Sequence, residues 1–335
     1  MSEWIEYDSI DVKESFLYLI DSKILKILLR DKTTRRNIIW ATDEYSFMGS
    51  GYRADEEIML SDVEGLTSII KPRVEKSKEE KTTRVRGMAE VFTPSWMCNK
   101  QNNLVDNDWF GRENVFNSEI ENGWITNTDK IIFPDIQGKT WQDYVKANRL
   151  EISCGEAPYL VSRYDTVTGF KIPIKDRIGL LDRKLRVVTE NVDSEPEWYF
   201  WAKKAIQSIY GFDWQGDNVL LARENILISF MDYYYAKFQV APIKEYLIEL
   251  AKILAWNIWQ MDGIKFVIPN SCKDNVTEYV NILGETIRDV VKCVGCQKND
   301  HSKHNGIYAR TYDWSANESV EFYSFIKEKV RYGKI

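Results

Sequence analysis

The spacing of apolar residues along the chain predicts most of its secondary structure. In several segments these residues recur every three to four positions, which is the spacing of one face of a helix. We therefore predict helices over residues 13–29, 139–147, 196–207, 216–231, 243–259 and 274–291. Short apolar runs predict strands at residues 37–41, 149–153, 208–213 and 264–268. Because strands and helices alternate between residues 150 and 268, the pattern predicts an α/β fold with a doubly wound sheet.

Two polar segments interrupt this pattern. Residues 71–86 contain seven Lys or Arg and three Glu. We interpret them as a solvated linker, with a phosphate-contacting segment as the alternative. Residues 87–135 are rich in Asn, Asp, Trp and Gly, and we expect loops and short elements there. Residues 163–195 are charged and predict an insertion between two strands of the sheet.

Composition narrows the class of protein. The 45 basic and 51 acidic side chains give a net charge of −6, which does not fit a protein that coats nucleic acid through bulk charge. The sequence contains no run of about 18 apolar residues, which is the length that would suggest a membrane span. The N-terminus is acidic and does not resemble a signal peptide. Five Cys in such a chain indicate a reducing compartment, so we expect a cytoplasmic protein that does not bind a membrane.

A candidate nucleotide site follows from two of the predicted strands. One strand ends at Cys154 and Gly155, where the missing side chain of Gly lets a ligand approach the backbone closely. The other ends at Asp213, whose carboxylate could accept hydrogen bonds from ribose hydroxyls. In doubly wound sheets ligands bind beyond the carboxyl ends of the strands. As a bare pattern this is weak, because the chain has no G-x-G-x-x-G sequence there.

Three short motifs resemble those of adenine-N6 DNA methyltransferases. Residues 151–158 (Glu-Ile-Ser-Cys-Gly-Glu-Ala-Pro) are similar to the first motif of that family, and residues 90–94 (Glu-Val-Phe-Thr-Pro) are similar to its tenth. Residues 209–214, with Ala-Arg-Glu-Asn at 222–225, resemble the second motif. Along the chain these motifs have the order ten, one, two, which is that of the methyltransferase class whose target-recognition region follows the catalytic region. The resemblance implies a Rossmann-like methyltransferase domain at 87–270, after an N-terminal helical or irregular region at 1–86.

The resemblance also implies S-adenosylmethionine as the cofactor and assigns residues to it. The tenth motif would line the methionine end, Asp213 would hold the ribose, and Trp214 would flank the adenine. Asp262 resembles the acidic third motif, although it is equally interpreted as a turn residue before Gly263. Two departures from the family pattern are Ala157, where a second Gly is usual, and Pro158. The full set is Phe92, Thr93, Pro94, Glu151, Ser153, Cys154, Gly155, Glu156, Asp213, Trp214 and Asp262.

The base-binding motif of that family, Asp/Asn-Pro-Pro-Tyr/Phe, is missing from the sequence. The chain has eight Pro and no Pro-Pro pair. The resemblance therefore implies a split enzyme from a restriction–modification or defence system. Residues 325–335 of this chain would then lie where a one-chain enzyme continues into its fourth motif, which is the base-binding motif. A second methyltransferase subunit would supply this motif and target recognition on double-stranded DNA. The alternatives are a non-catalytic scaffold that organises a DNA-binding partner, and a methyltransferase acting on RNA or protein.

A second cluster predicts a metal site in the C-terminal segment, residues 271–335. Cys293, Cys296, His301 and His304 have the spacing C-x2-C-x4-H-x2-H, and both His of the chain fall within it. Two thiolates and two imidazoles suit tetrahedral zinc. We predict a structural zinc site with these four ligands, and Cys272 as the reserve ligand if one His cannot reach. The alternative is a turn with two thiols and two surface imidazoles.

Overall fold

A computed structural model describes residues 21–63, 69–72, 93–280 and 285–331, and gives a mixed α/β protein with several small sheets. The helices are α1 (Ser22–Leu28), α2 (Leu60–Val63), α3 (Ser95–Phe110), α4 (Trp141–Lys146), α5 (Leu180–Asn191), α6 (Glu195–Gln207), α7 (Gly216–Phe238), α8 (Lys244–Asn257), α9 (Val294–Lys298) and α10 (Phe322–Arg331). The strands are β1 (Asn117–Ile120), β2 (Gly123–Thr126), β3 (Arg149–Ile152), β4 (Ile209–Asp213), β5 (Ile258–Gln260), β6 (Asn275–Val280), β7 (Thr286–Val291), β8 (Arg310–Asp313) and β9 (Glu318–Glu321). Most of the 71–86 segment lies outside the described residues.

A parallel sheet with the order β3-β4-β5 positions the candidate cofactor residues. Helices α5 and α6 connect β3 to β4, and α7 and α8 connect β4 to β5. Parallel neighbours require such crossovers, since a tight turn can only join antiparallel strands. The carboxyl ends of all three strands therefore meet at one edge. The other strands of the described chain form three antiparallel pairs, β1-β2, β6-β7 and β8-β9.

The two faces of the parallel sheet pack against different cores. Ile209 and Ile258 face the main core, which the helices α4 to α8 fill with aliphatic and aromatic side chains. Phe212 and Trp259 point to the opposite face and pack against Phe322 of α10 in a smaller cluster. Adjacent residues of a strand point to opposite faces, so β4 and β5 each contribute to both cores.

Several predicted elements are confirmed. The capping Thr140 begins α4, and its side chain accepts from the backbone N–H of Asp143 while the Asp143 carboxylate accepts from the N–H of Thr140. Strands β3 and β4 and helices α6, α7 and α8 lie where the apolar pattern placed them, with α7 extending seven residues beyond its predicted end. Residues 13–20 of the first predicted helix lie outside the described part of the chain, and α1 forms its described end.

Other predictions are wrong at the level of element type. Residues 275–280 and 286–291 form the antiparallel pair β6-β7 instead of a helix, because Asn275 to Val280 pair with Val291 to Thr286, and local periodicity does not show a pairing between distant residues. The third parallel strand is β5, whereas the predicted strand at 264–268 begins in a turn with Phe266 at φ 62°. Residues 37–41 contribute only isolated bridges, at Asn37 and Ile39.

The polar segment 87–135 contains a 16-residue helix, α3, where we expected loops. Its Asn side chains point inward and bind buried polar partners. Arg183 of α5 donates to the side-chain oxygens of Asn99 and Asn103 at 2.8 and 2.7 Å, and to Asp106 at 2.6 Å. A helix whose buried face is polar has no apolar period, which is why the hydrophobic pattern missed it.

Candidate functional site

The turn after β3 has an unusual backbone conformation. Ser153, Gly155 and Ala157 all have positive φ, at 50°, 51° and 63°. The N–H of Cys154 donates to the carbonyl of Phe212 in β4 at 2.9 Å, and its side chain is buried, so the turn stays attached to the sheet. Left-handed backbone costs roughly 1–2 kcal/mol at residues other than Gly. Two of these three positions therefore carry strain at the carboxyl edge of the sheet.

Asp213 connects the ends of β3 and β4. Its Oδ2 accepts from the N–H of Gly155 at 2.9 Å, and its Oδ1 accepts from the N–H of Gln215 at 2.9 Å and the Asn218 amide at 3.3 Å. Burial raises the pKa of this carboxyl, while the three hydrogen bonds oppose that shift. A carboxylate offers about four acceptor positions. Asp213 is 7% exposed and has one such position left for a ligand.

Two glutamates of the motif support the turn from inside. The Glu151 side chain accepts from the N–H groups of Tyr159 and Leu160 at 3.3 and 3.2 Å, so it closes the turn back onto β3. Burial raises the pKa of Glu151 well above its ordinary value. Glu156 is also buried and accepts from the Tyr164 hydroxyl at 2.5 Å. Both side chains are buried and accept hydrogen bonds from residues that follow the motif.

The Thr93 and Pro94 segment lies close to this turn. The Thr93 carbonyl accepts from the Thr166 hydroxyl at 2.8 Å, and Pro94 caps the N-terminus of α3. Asn102 of the same helix donates to the carbonyl of Tyr159 at 2.9 Å. The tenth-motif segment and the first-motif turn are thus joined through α3. Phe92 lies outside the described residues.

Trp214 and Asp262 lie beyond β4 and β5. The Trp214 indole donates to the carbonyl of Ala41 at 2.9 Å and leaves 37% of the side chain exposed. Asp262 Oδ1 accepts from the N–H groups of Ile264 and Lys265 at 2.9 and 3.0 Å. Asp262 therefore closes a turn, as one of our two interpretations held. The N–H of Met261 donates to the carbonyl of Asp213, which keeps both acids at the same edge.

Sequence reasoning missed Gln260, the last residue of β5. Its amide donates to the carbonyls of Trp214 and Ile39, both at 2.8 Å, and its oxygen accepts from the N–H of Ile39 at 2.9 Å. Gln260 thereby attaches residues 39–41 to the sheet edge next to Trp214. The signal in the sequence was the short strand β5, which is apolar except for the amide side chain of its last residue.

The second site gathers four potential metal ligands, Cys272, Cys293, Cys296 and His304. Their donor atoms all lie within 4.8 Å of one another. The His304 Nδ1 atom is 3.6 Å from the sulfur of Cys272, 3.8 Å from that of Cys293 and 3.6 Å from that of Cys296. Three sulfurs and one imidazole at such distances could hold a metal ion, which is consistent with zinc.

The predicted ligand set is corrected at one position. His301 lies outside this group, and its ring packs edge-on against Phe266 with a centroid distance of 5.4 Å. Cys272, which we held in reserve, takes the fourth position. A straight helix over residues 274–291 would have separated Cys272 from Cys293 by about 27 Å. The hairpin instead returns the chain and brings the two thiols together.

Comparisons with known proteins add no family to this geometry. No protein-family model matches the chain, and no curated protein or solved structure shows significant similarity to it. Within the described residues, no helix combines the length and the apolar character needed to cross a membrane.

Proposed function

We propose that this chain is the S-adenosylmethionine-binding subunit of a split DNA adenine-N6 methyltransferase from a restriction–modification or defence system. One observation carries the proposal: the Gly155 N–H donates to Asp213 where two parallel strands end. Ligands of open α/β sheets bind beyond the carboxyl ends of the strands. Thr93 and Pro94 lie near the same turn, and Asp262 follows the third strand, so the motif order of the resemblance agrees with the spatial grouping.

The residues fit such a cofactor in three respects. Asp213 keeps one acceptor position, which suits a ribose hydroxyl. Trp214 exposes part of its indole, which suits the flat face of an adenine. Asp262 follows β5 at the same end of the sheet and supplies a carboxylate there, where the resemblance implies an acid near the adenine amino group. When bound, the cofactor supplies a methyl group already activated as a sulfonium. The chain then contributes binding and orientation, which is how positioned reactants gain rate.

The sheet edge next to β3 supports the proposal of a partner subunit. Among the described residues, no strand pairs with the outer edge of β3. Leu150 and Ile152 on this strand are 44% and 68% exposed, and Leu150 lines a groove with Tyr210 and Phe325. An unpaired edge is a template for strand addition. A second methyltransferase subunit that carries the Asn-Pro-Pro-Tyr motif and the target-recognition region for double-stranded DNA suits this edge.

The chain offers a specific test of that partner edge. Ile152→Glu should weaken co-purification with the second methyltransferase subunit, whereas Ile132→Glu, also at an exposed site (75%), should leave it unchanged. The purified complex should transfer methyl groups to adenine in duplex DNA. Full activity of the isolated chain would refute the split enzyme. Transfer to RNA or protein instead of DNA would refute the substrate class.

A non-catalytic scaffold is the second candidate, and the number of hydrogen bonds that Asp213 already accepts favours it. Three of the acceptor positions of this carboxylate are already taken by donors of the chain itself. Calorimetry with S-adenosylmethionine separates the two candidates. Heat of binding in the isolated chain or the complex supports the cofactor subunit, and its absence from both supports the scaffold.

A further inference from the structure

We infer that Cys272, Cys293, Cys296 and His304 form a closed structural zinc site that clamps the base of the hairpin β6-β7 and fixes the turn carrying Asp262. The zinc site and the clamp stand on this cluster alone. Only the consequence for cofactor binding rests on the proposed function.

The distances within the cluster match one tetrahedral ion. With Zn–S at about 2.3 Å and Zn–N at about 2.0–2.1 Å, a tetrahedral angle places sulfur and nitrogen about 3.6 Å apart. The three distances from the His304 Nδ1 atom to the sulfurs are 3.6, 3.8 and 3.6 Å. Three soft thiolates and one imidazole select zinc over hard cations such as magnesium. All four positions are protein ligands, which is typical of structural and not catalytic zinc.

The backbone around the cluster is shaped for this arrangement. A Cβ on Gly295 would lie 2.6 Å from the backbone nitrogen of His304, so only Gly permits the two segments to approach. The Gly295 N–H donates to the carbonyl of Lys303 at 3.0 Å, which fixes that approach. The N–H of Asn305 donates to the sulfur of Cys293 at 3.3 Å, a contact that stabilises a thiolate. Outer hydrogen bonds of this kind orient metal ligands.

Asn305 also connects the third segment to the cluster. Its side-chain amide donates to the carbonyl of Lys273 at 2.7 Å, and its oxygen accepts from the N–H of Lys273 at 3.2 Å. Lys273 directly follows the ligand Cys272. The ligands therefore come from three stretches of chain that are already held together by hydrogen bonds, and an ion would complete the connection.

The hairpin β6-β7 begins and ends at this cluster. Cys272 precedes Asn275 by three residues, and Cys293 follows Val291 by two. Every residue of β6 is exposed, as are the residues of β7 whose side chains are described. An isolated two-stranded hairpin is marginally stable in water. Joining its two ends through an ion offsets the entropy of closing it, so metal binding contributes folding free energy there.

A short chain of hydrogen bonds links the cluster to Asp262. After His304, residues 307–309 pair with residues 266–268: the Ile268 N–H donates to Ile307 at 2.8 Å, and the Ala309 N–H donates to Phe266 at 3.0 Å. The Phe266 N–H in turn donates to the carbonyl of Asp262 at 2.7 Å. An ion that fixes His304 thereby fixes the turn at the carboxyl end of β5.

Metal analysis of the purified full-length chain tests the zinc site. Elemental mass spectrometry should give about one zinc per chain. Cys272→Ser and His304→Ala should lose it, and His301→Ala is the matched control that should keep it. Asn305→Ala should lower zinc affinity by roughly tenfold, since it removes both side-chain hydrogen bonds to the backbone of Lys273 and keeps the N–H that donates to Cys293. Wild-type protein without zinc, or equal loss from the His301 and His304 variants, would overturn the proposal.

Hydrogen exchange on the wild-type chain tests the clamp without relying on variants that could misfold. Stripping the metal with a chelator should increase exchange in the hairpin and in residues 262–268, and adding zinc back should reverse it. Exchange that is unchanged in both segments would refute the clamp. These readouts need no S-adenosylmethionine. If hydrogen exchange confirms the clamp, the proposed function predicts that chelation also lowers the affinity for S-adenosylmethionine. An unchanged affinity would then contradict the proposed function and leave the clamp intact.

Discussion

Replacing Asp213 by Asn tests whether this carboxylate holds the ends of β3 and β4 together. The substitution keeps the size of the side chain and leaves one oxygen in place of two. Asp213 receives donors on both oxygens, from Gly155 on one side and from Gln215 and Asn218 on the other. Whichever way the new amide turns, its NH2 group faces a backbone N–H that has lost its acceptor.

The expected loss of stability follows from two opposing effects. A buried backbone donor left without an acceptor costs about 1–3 kcal/mol. Asn relieves part of this, because it carries no charge and burial disfavours the charged form of Asp213. We expect a net loss of about 1–2 kcal/mol in the free energy of unfolding at neutral pH. For a chain of this size that lowers the melting temperature by about 1–3 °C.

The loss should also depend on pH. Because the pKa of Asp213 is raised in the folded chain, its contribution to stability is complete below its unfolded value of about 3.9. That contribution is lost as the pH rises through the folded value. The gap between wild type and Asp213→Asn should therefore be wider near the acid end of the folded range than at alkaline pH.

Urea unfolding at several pH values measures this gap, and hydrogen exchange reports the Gly155 amide directly. The control is Asp193→Asn: the Asp193 side chain is fully exposed, although its partner Lys237 is mostly buried, and we expect little change in stability. A variant as stable as wild type, with an equally protected Gly155 amide, would refute the reasoning. It would mean that the Gly155 hydrogen bond does not hold the turn.

Three further predictions concern the parallel sheet and the residues that support it. Burial raises the pKa of Glu151, so its contribution to stability falls as the pH rises above about 4.3. In urea unfolding, the free energy of unfolding of Glu151→Gln should therefore decline less with pH than that of the wild type, and equal declines would contradict this. Lys184→Met should cost about 1–3 kcal/mol in thermal unfolding, because the buried side-chain nitrogen of Lys184, whose pKa burial lowers, donates to the Ala147 carbonyl at 2.5 Å and to two other acceptors; an unchanged melting temperature would argue against that network. Trp214→Ala should weaken S-adenosylmethionine binding by roughly tenfold in calorimetry and Trp214→Phe by less, whereas equal affinities would exclude stacking on this ring.

The elements that bury apolar side chains could be predicted from the sequence. Strand β4 has buried residues on both sides, as its continuous apolar run indicated. Helix α4 begins at Thr140, where a capping residue precedes an apolar stripe. For such elements the hydrophobic period and the end signals agree, so local reasoning suffices. The extension of three parallel strands to a full doubly wound sheet stays a prediction.

Elements held by polar contacts or by pairing between distant residues were not predictable in this way. Helix α3 is stabilised by Asn side chains that bind Arg183, a residue about 80 positions further along the chain. The hairpin β6-β7 has no buried face, so nothing in its apolar content separated it from a surface helix. The predicted metal site held Cys272 only in reserve, because the spacing of Cys293, Cys296, His301 and His304 already supplied four ligands. The ligand set could be corrected only when the strand pairing was known.

The conformation of Ala157 gives an argument for function that does not depend on motif resemblance. We noted that Ala stands where the methyltransferase family usually has Gly, so that the turn could differ. Ala157 nevertheless takes φ 63°, the left-handed conformation that Gly adopts without strain. Its N–H donates to the carbonyl of Cys154 at 2.7 Å, and its own carbonyl accepts from Leu160 and Val161 at 3.1 and 2.9 Å.

These contacts hold a strained residue in place, and the strain lies at the carboxyl edge of the sheet. Residues in sparsely populated conformations cost about 1–3 kcal/mol and cluster at ligand sites. A turn that needed only to join β3 to α5 could avoid this cost with an extended loop. The same turn exposes the Gly155 backbone beside Asp213, where a Cβ would meet no atom within 4 Å. Open space beside a strained and anchored backbone is what close approach of a ligand requires, and this is why we place the cofactor at Gly155 and Asp213.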